Sequence, residues 1–171
     1  LTWLILSALP VFSIGLAEDL GYAMSPKARL IACSVSSFMA VLLFKVWLHR
    51  LGIPGVDTLL MFAPLAVLFT IFAAVGVVNA FNLIDGLNGL SSYITISVAL
   101  SLSFIAFSAG NTQISIFLVL LVASVLGFMI LNFPFGKIFL GDGGAYALGH
   151  LLVWSAIILT NNAREISPFA I

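Results

Sequence analysis

Two asparagines and an aspartate recur at intervals of three residues in the stretch NAFNLIDGLNGL, which directly follows a long apolar run. On a helix this spacing drifts by about 60° per step, so Asn79, Asn82 and Asp85 share one broad face. A plain interpretation is a turn in which Gly86 and Gly89 end the helix with positive φ. That interpretation leaves the amides unexplained, because unpaired amides are costly in lipid. A binding function is therefore favoured.

A second polar stretch, NFPFGKIFLGDGGAYALGH, joins two later apolar runs. Asp142 precedes two glycines and a helix, so one interpretation is an N-cap followed by flexible residues. The alternative is a phosphate-handling site, in which backbone N–H groups approach an anion, Lys137 adds a positive charge and Asp142 holds Mg²⁺. The sequence contains neither a P-loop nor a Rossmann fingerprint, so a soluble nucleotide-binding fold is not indicated.

A third stretch, GLAEDLGYAMSPKARL, contains the adjacent acids Glu18 and Asp19. They are either solvated loop residues or a functional pair, because adjacent like charges are costly unless a cation lies between them. A divalent metal, Lys27 or Arg29 could supply that positive charge. Ser25 followed by proline predicts the N-cap of the next helix.

Apolar segments must position these three stretches, because 63% of the 171 residues are hydrophobic and only 7% are charged. A soluble domain carries roughly a quarter charged residues, so lipid is the expected solvent for much of this surface. The apolar runs are continuous and do not alternate, which predicts helices and not a β-barrel. We therefore predict an all-α, polytopic membrane bundle with six crossings, near residues 1–17, 28–48, 58–80, 89–108, 113–131 and 143–160.

The number of crossings between the acids predicts where they lie. The chain crosses twice between Asp19 and Asp85 and twice again between Asp85 and Asp142, so these acids and Glu18 share one membrane face. The two remaining acids, Asp57 and Glu165, fall on the other face. Basic residues are divided between both faces, so the positive-inside rule leaves the orientation open.

Carboxylates, amides, a lysine and glycine-rich turns at one membrane face suggest hard-cation chemistry on a phosphorylated substrate. The net charge is zero and basic residues do not cluster, which argues against nucleic acid as a partner.

Three motifs occur in a specific order: G-x-x-E-D-L…S-P-x-x-R-L, then N-A-F-N-L-I-D-G-L-N-G-L, then N-F-P-F-G-K-I-F-L-G-D-G-G-A-Y-x-L-G. This order resembles the polyprenyl-phosphate N-acetylhexosamine-1-phosphate transferases, the integral-membrane glycosyltransferase family 4 enzymes of bacteria. The likeness covers nearly the whole chain.

The resemblance implies transfer of N-acetylhexosamine-1-phosphate from a UDP-sugar to polyprenyl (undecaprenyl) phosphate, with release of UMP. It implies dependence on Mg²⁺, with Mn²⁺ as another possible ion. It also implies a multi-pass protein of the bacterial inner membrane, with the site on the cytoplasmic face. The expected partners are polyprenyl phosphate, a UDP-N-acetylhexosamine and the bilayer, while the oligomeric state stays open.

The resemblance also assigns roles to individual residues. Asp142 would be the main metal ligand, and Asp85 would share the metal and nucleotide region. The family's acidic pair corresponds to Glu18 and Asp19, which would orient or deprotonate the lipid phosphate. With these four acids as catalytic residues, the expected substrate-binding residues are Asn79, Asn82, Asn132 and Lys137.

Three positions depart from the common family pattern. Glu18 stands where Asp is commoner, Asn88 where many members have a second Asp, and Ala145 where Ser is frequent. The resulting pattern is nearer to the O-antigen or capsule branch than to the peptidoglycan branch. We expect residues 1–171 to form one membrane domain inside a longer transferase, with upstream spans and a downstream His-rich loop elsewhere in the protein.

Two other functional classes remain open at this stage. A transporter would also place polar residues where helices are broken, although near the bilayer midplane. A non-catalytic membrane scaffold would tolerate the loss of Asp142. The position of the acids relative to the helix ends distinguishes the transporter from the enzyme.

Overall fold

A computed structural model describes residues 1–162. Within that range the chain forms seven α-helices and no β-strand. The helices are α1 (Thr2–Asp19), α2 (Pro26–Phe44), α3 (Val56–Leu60), α4 (Ala63–Ile84), α5 (Leu90–Ser108), α6 (Thr112–Asn132) and α7 (Gly141–Asn162). All except α3 are long and apolar enough to cross a membrane, which confirms the prediction of an all-α polytopic bundle.

Local sequence explains where α2 begins and corrects where it ends. Ser25 accepts a hydrogen bond from the backbone N–H of Ala28, and Pro26 is the first helical residue, as predicted. The expectation of a helix extending to about residue 48 was wrong. Lys45 adopts a left-handed conformation with φ 55° and ends the helix there, so the next residues leave the helical path.

Helix α7 lies at the centre of the bundle. It packs against α1, α4 and α5, while α2 packs on α1 and α6 packs on α5. In α7 72% of the spanning residues are buried, against 22–39% in the other five spans. The exposed apolar faces of those outer helices suit a lipid environment.

Helices α1 and α7 approach each other through glycine. A Cβ atom added at Gly15 would lie 2.5 Å from the Cα of Gly143, which is closer than any real side chain permits. The two backbones are therefore in direct contact near the end of α1 and the start of α7. This contact determines how the acids of the two helices meet.

At the opposite end of the bundle, the segment after α2 runs against the helices α4 and α7. The backbone N–H of Leu48 donates to Thr70 Oγ1 at 2.8 Å, and Asn161 Nδ2 donates to the carbonyl of Trp47 at 3.0 Å. Asp57 closes the loop before α3, because its carboxylate oxygens accept the N–H groups of Leu51 at 2.6 Å and Gly52 at 3.1 Å. Side chains of α3, α4 and α7 thus bond to backbone groups of this segment at Trp47, Leu48, Leu51 and Gly52.

Candidate active site

The carboxylate of Asp19, at the end of α1, caps the start of α7. Its Oδ1 accepts the backbone N–H of Asp142 at 2.7 Å, and its Oδ2 accepts that of Gly143 at 3.0 Å. Gly141 makes this approach possible, because it has φ +71° and a Cβ there would lie 2.6 Å from Asp19 Oδ2. Asp142 therefore lies inside the first turn, and its interpretation as the N-cap was wrong.

The same contact changes the interpretation of the glycine-rich turn. The start of a helix favours an anion, because free N–H groups and the helix dipole point toward it. In this bundle the anion at the N–H groups of Asp142 and Gly143 is the carboxylate of Asp19. The glycines serve close packing of α1 and α7, and these two N–H groups do not form a phosphate cradle.

Asp142 also contacts the last turn of α4. Asn82 Nδ2 donates to Asp142 Oδ1 at 2.5 Å, so α4 and α7 are joined by a side-chain hydrogen bond at this end of the bundle. Asn79, one turn earlier, donates its Nδ2 to the carbonyl of Val75 at 2.8 Å. Both amides line one cavity, which confirms that they share a helix face.

Asp85 follows the last residue of α4, and Ser91 Oγ donates to its Oδ1 at 2.5 Å. Burial raises the pKa of the Asp85 carboxyl above its ordinary range, although the hydrogen bond from Ser91 lowers it. The negative charges of Asp142 and Asp19 raise it further. Asp85 is thus within electrostatic reach of Asp142 and Asp19, and all three acids lie at the same end of the bundle, as the crossing parity predicted.

The turn after Asp85 agrees with the sequence prediction in part. Gly89 has φ +81°, whereas the φ of Gly86 is not positive. Backbone freedom is thus required only at the second of the two glycines.

Only one of the two carboxylate oxygens of Glu18 is paired with a cation. Arg29 Nη1 lies 3.5 Å from Glu18 Oε1, so Arg29 is one of the candidate cations that does pair with this acid. The other oxygen, Oε2, is buried and accepts no hydrogen bond from the described residues. A buried carboxylate oxygen without a partner is costly, so this part of the site favours an additional cation or donor.

A cavity of about 240 Å³ opens between α2 and α4 beside this acid cluster. Its polar wall contains Arg29, Asn79, Asn82 and the phenol of Tyr146. Its apolar wall contains Pro26, Leu30 and Leu83. The cavity therefore combines an anion-binding guanidinium with a surface that suits hydrocarbon.

The remaining two predicted residues are Asn132, the last residue of α6, and Lys137, on the loop between α6 and α7. Lys137 is exposed. Asn132 is only 5% exposed, and both ends of its amide are bonded to backbone atoms. Asn132 is thus buried and bonded to backbone, while Lys137 is open to its surroundings.

The donor set can be compared with the needs of Mg²⁺. Within residues 1–162 there is no group of three or more His, Cys, Asp or Glu side chains arranged to hold a metal by themselves. Mg²⁺ ordinarily uses one or two carboxylates and completes its shell with water and substrate phosphates. Two mutually repelling acids, Asp85 and Asp142, fit that incomplete donor set.

Sequence reasoning missed two residues at this end of the bundle. Tyr146 follows Asp142 by four residues, so the helical period alone places both on one face of α7. Ser91 lies in the first turn of α5, where a hydroxyl next to an acid-bearing turn is a recognisable signal. Of the acids predicted for the opposite face, Asp57 lies there, and Glu165 lies outside the described residues.

The fold and the site together define a polytopic helical membrane protein with an acid cluster at one end of its bundle. The chain belongs to glycosyl transferase family 4, whose model matches residues 1–160. The match confirms the family resemblance that the three motifs carry.

Three curated relatives that the chain resembles carry the name phospho-N-acetylmuramoyl-pentapeptide-transferase. The protein from Clostridium perfringens strain 13 is 33% identical over 136 residues, which is 79% of this chain and 43% of the relative. The protein from Listeria monocytogenes is 30% identical over 168 residues, which is 92% of this chain and 52% of the relative. The protein from Anoxybacillus flavithermus is 39% identical over 107 residues, covering 63% of this chain and 33% of the relative.

The chain thus spans about half the length, or less, of these relatives. Their shared name gives no support to the O-antigen or capsule branch that the departures at positions 18, 88 and 145 favour.

Proposed function

We propose that this chain forms the acidic core of a membrane enzyme that transfers an N-acetylhexosamine-1-phosphate unit from a UDP-sugar to polyprenyl phosphate, releasing UMP. Membership of glycosyl transferase family 4 supports the reaction class. The observation that carries the proposal is the convergence of Asp142, Asp19 and Asp85 from three separate helices. Phosphoryl transfer requires positioning and charge neutralisation above all, and such a cluster can organise both.

Mg²⁺ would be held by Asp142 and Asp85 together with phosphate oxygens of the donor. When bound, the ion supplies positive charge against the diphosphate and the leaving UMP. Asn82 orients Asp142 through its hydrogen bond, and Ser91 orients Asp85 in the same way.

The cavity between α2 and α4 suits the phosphate end of a polyprenyl chain. Arg29 would attract the phosphate, and Leu30 and Leu83 would contact the first isoprene units. Glu18 would hold Arg29 in place until the lipid phosphate approaches, since the two side chains are paired at 3.5 Å. Lys137 would contact the sugar nucleotide from the exposed loop.

Asp19 is best described as the residue that positions Asp142, because both of its oxygens accept N–H groups at the start of α7. A phosphate nucleophile is already anionic at neutral pH, so it requires no strong base. The site would face the cytoplasm of a bacterium, where soluble UDP-sugars are available.

The transporter alternative predicts polar groups near the bilayer midplane. The acids lie instead at the end of α1, the end of α4 and the start of α7. These positions favour chemistry at the headgroup boundary.

The proposal is tested with the complete protein that contains this chain. The purified protein would be offered undecaprenyl phosphate, Mg²⁺ and a panel of UDP-N-acetylhexosamines, and released UMP would be measured. We expect UMP from at least one donor, dependence on the lipid acceptor, and loss of release when the metal is chelated. The absence of UMP with every donor would exclude the proposal.

A further inference from the structure

Two loops of the site are joined by a single buried amide. We name residues 85–89 the acidic turn and residues 133–140 the lysine loop. Asn132, the last residue of α6, accepts the backbone N–H of Gly89 on Oδ1 at 2.6 Å. Its Nδ2 donates to the carbonyl of Ile138 at 2.9 Å. One side chain thus bonds to the backbone of both loops.

The loops also pack against each other closely. A Cβ at Gly89 would lie 2.8 Å from the ring of Phe133, and a Cβ at Gly136 would lie 2.8 Å from Asn88 Nδ2. Both glycines have positive φ, +81° and +58°, a conformation that favours glycine, and at Gly89 the Cβ and ring of Phe133 also leave no room for a side chain. The acidic turn and the lysine loop therefore fit together in one arrangement.

A second amide joins the same loops at the surface. Asn88 Nδ2 donates to the carbonyl of Pro134 at 3.2 Å. An aspartate at this position, which the family resemblance makes common, has no N–H to donate and would repel the carbonyl oxygen. In this chain the departure at position 88 therefore has a structural use.

We propose that Asn132 is a positioning residue. It holds the lysine loop against the acidic turn and so directs Lys137 toward the sugar nucleotide whose metal ion Asp85 would bind. This assignment rests on the proposed function, and it replaces direct substrate binding by Asn132. Asn132 is 5% exposed and bonded at both ends of its amide, so it is poorly placed to contact a substrate. It acts through the backbone of the loop that carries Lys137, and Asn88 contributes to the same arrangement.

A double-mutant cycle tests this in the complete enzyme, with UMP release as the readout. We expect Asn132→Ala to reduce kcat/KM on the order of tenfold, a size typical of residues coupled in one network. In a Lys137→Ala background, the same substitution should reduce kcat/KM by less than about twofold, because its effect depends on Lys137. If the fold-losses of the two single variants simply multiply in the double variant, the two residues act independently and the proposal is overturned.

Asn111 offers a matched control. It begins α6, as Asn132 ends it, and its side chain caps the helix by accepting the N–H of Ile114 at 3.2 Å. Asn111→Ala should lower thermal stability in detergent, and any effect on kcat/KM should be the same with and without Lys137. A purely structural role of Asn132 predicts this same pattern for Asn132→Ala, and observing it would also overturn the proposal.

Conservative variants keep the test decisive if Asn132→Ala does not fold. Asn132→Asp keeps the acceptor for Gly89 but removes the donor to Ile138, so it should give a smaller loss with the same dependence on Lys137. Asn88→Ala should behave similarly and more weakly, and independence of both from Lys137 would contradict the proposal. If the wild-type enzyme releases no UMP from any donor, the proposed function fails. If it does and the cycle is multiplicative, only the role of Asn132 fails.

Discussion

Asp19 and Asp57 lie at opposite ends of the bundle and make the same kind of bond. Each carboxylate accepts two backbone N–H groups, one on each oxygen. For Asp57 the donors lie five and six residues away, whereas for Asp19 they lie 123 and 124 residues away. A local bond closes a loop. The long-range bond brings a second acid, Asp142, into the neighbourhood of the first.

The two ends therefore differ in their electrostatics. About 33 Å of helix separates Asp85 from the end that contains Asp57, at 1.5 Å per residue over α4. At the acidic end, burial and the negative charges of Asp142 and Asp19 raise the pKa of Asp85. Glu18 Oε2 has no hydrogen-bond partner among the described residues. Unrelieved negative charge of this kind is typical of a site that receives a cation.

The largest expected difference between the ends follows from neutralising one acid at each. Asp142→Asn in the complete enzyme should reduce kcat at least about a hundredfold, as removal of one preorganised charged group does. Asp57→Asn should leave kcat within about threefold and lower the unfolding free energy by about 1 kcal/mol, as loss of a capping carboxylate does. The measurements are UMP release and thermal unfolding in detergent. Equal losses of activity in both variants would show that position in the bundle is irrelevant.

Separating α1 from α7 should have the next largest effect. Gly15→Ala places a methyl group 2.5 Å from Gly143 and should shift Asp19 away from the start of α7. We expect a loss of about 1–3 kcal/mol, as for overpacked cores, and a fall in kcat on the order of tenfold.

Gly127→Ala is the control, because a methyl group there meets nothing within 4 Å. It should stabilise α6 by roughly 0.5–1 kcal/mol and leave kcat unchanged. If Gly15→Ala retained full activity, the backbone contact would not be what positions Asp19.

A third difference between the ends is sensitivity to pH. The raised pKa of Asp85 means that the folded, metal-free protein holds this proton to higher pH than the unfolded chain does. Its stability contribution is therefore complete below the ordinary carboxyl pKa of about 4. The contribution is lost as the pH rises through the raised value.

Because Mg²⁺ competes with the proton, its stabilising effect should grow over the same range. Thermal unfolding with and without Mg²⁺ should show a Tm gain that increases with pH, and Asp85→Asn should abolish this increase. Asp57→Asn should preserve it. A Tm gain independent of pH in the wild type would argue against Asp85 as a ligand.

The smallest expected effect concerns Ser91. Its hydrogen bond lowers the pKa of Asp85, so Ser91→Ala should raise that pKa and move the acid limb of kcat/KM to higher pH. The expected shift is less than about one pH unit, because one hydrogen bond contributes roughly 0.5–1.5 kcal/mol. A shift toward lower pH would contradict the assigned role of the hydroxyl. Ser101→Ala is the control, since that hydroxyl bonds only its own helix, at the carbonyl of Ser97.

The amino-acid sequence was sufficient to predict the existence of the six long helices and the end of the bundle where the acids lie. Apolar length predicts a crossing, and the parity of crossings then places Asp19, Asp85 and Asp142 together without any knowledge of packing. The hydrogen bonds confirm that placement. These predictions succeed because they depend on length and charge alone.

Predictions about individual bonds were less reliable, because a side chain's partner can come from a distant helix. Asp142 has the local pattern of an N-cap, but Asp19 supplies the cap from another helix. Asn132 has the pattern of a polar residue at a site, yet it is buried and bonded to backbone. The apolar residues after Lys45 led hydropathy to predict that α2 continues. The helix nevertheless ends at Lys45, and the apolar segment beyond it packs on Thr70 of α4.

The cap that joins Asp19 to α7 also has a consequence for biosynthesis. The ribosome makes Asp19 more than a hundred residues before its hydrogen-bond donors. Until α7 has left the translocon and docked, the acidic pair remains at the membrane surface without the helix terminus that it caps. Nascent chains that stop before residue 141 therefore carry Glu18 and Asp19 but lack Asp142 and the helix terminus that Asp19 caps, so the acid cluster can form only after α7 has been inserted.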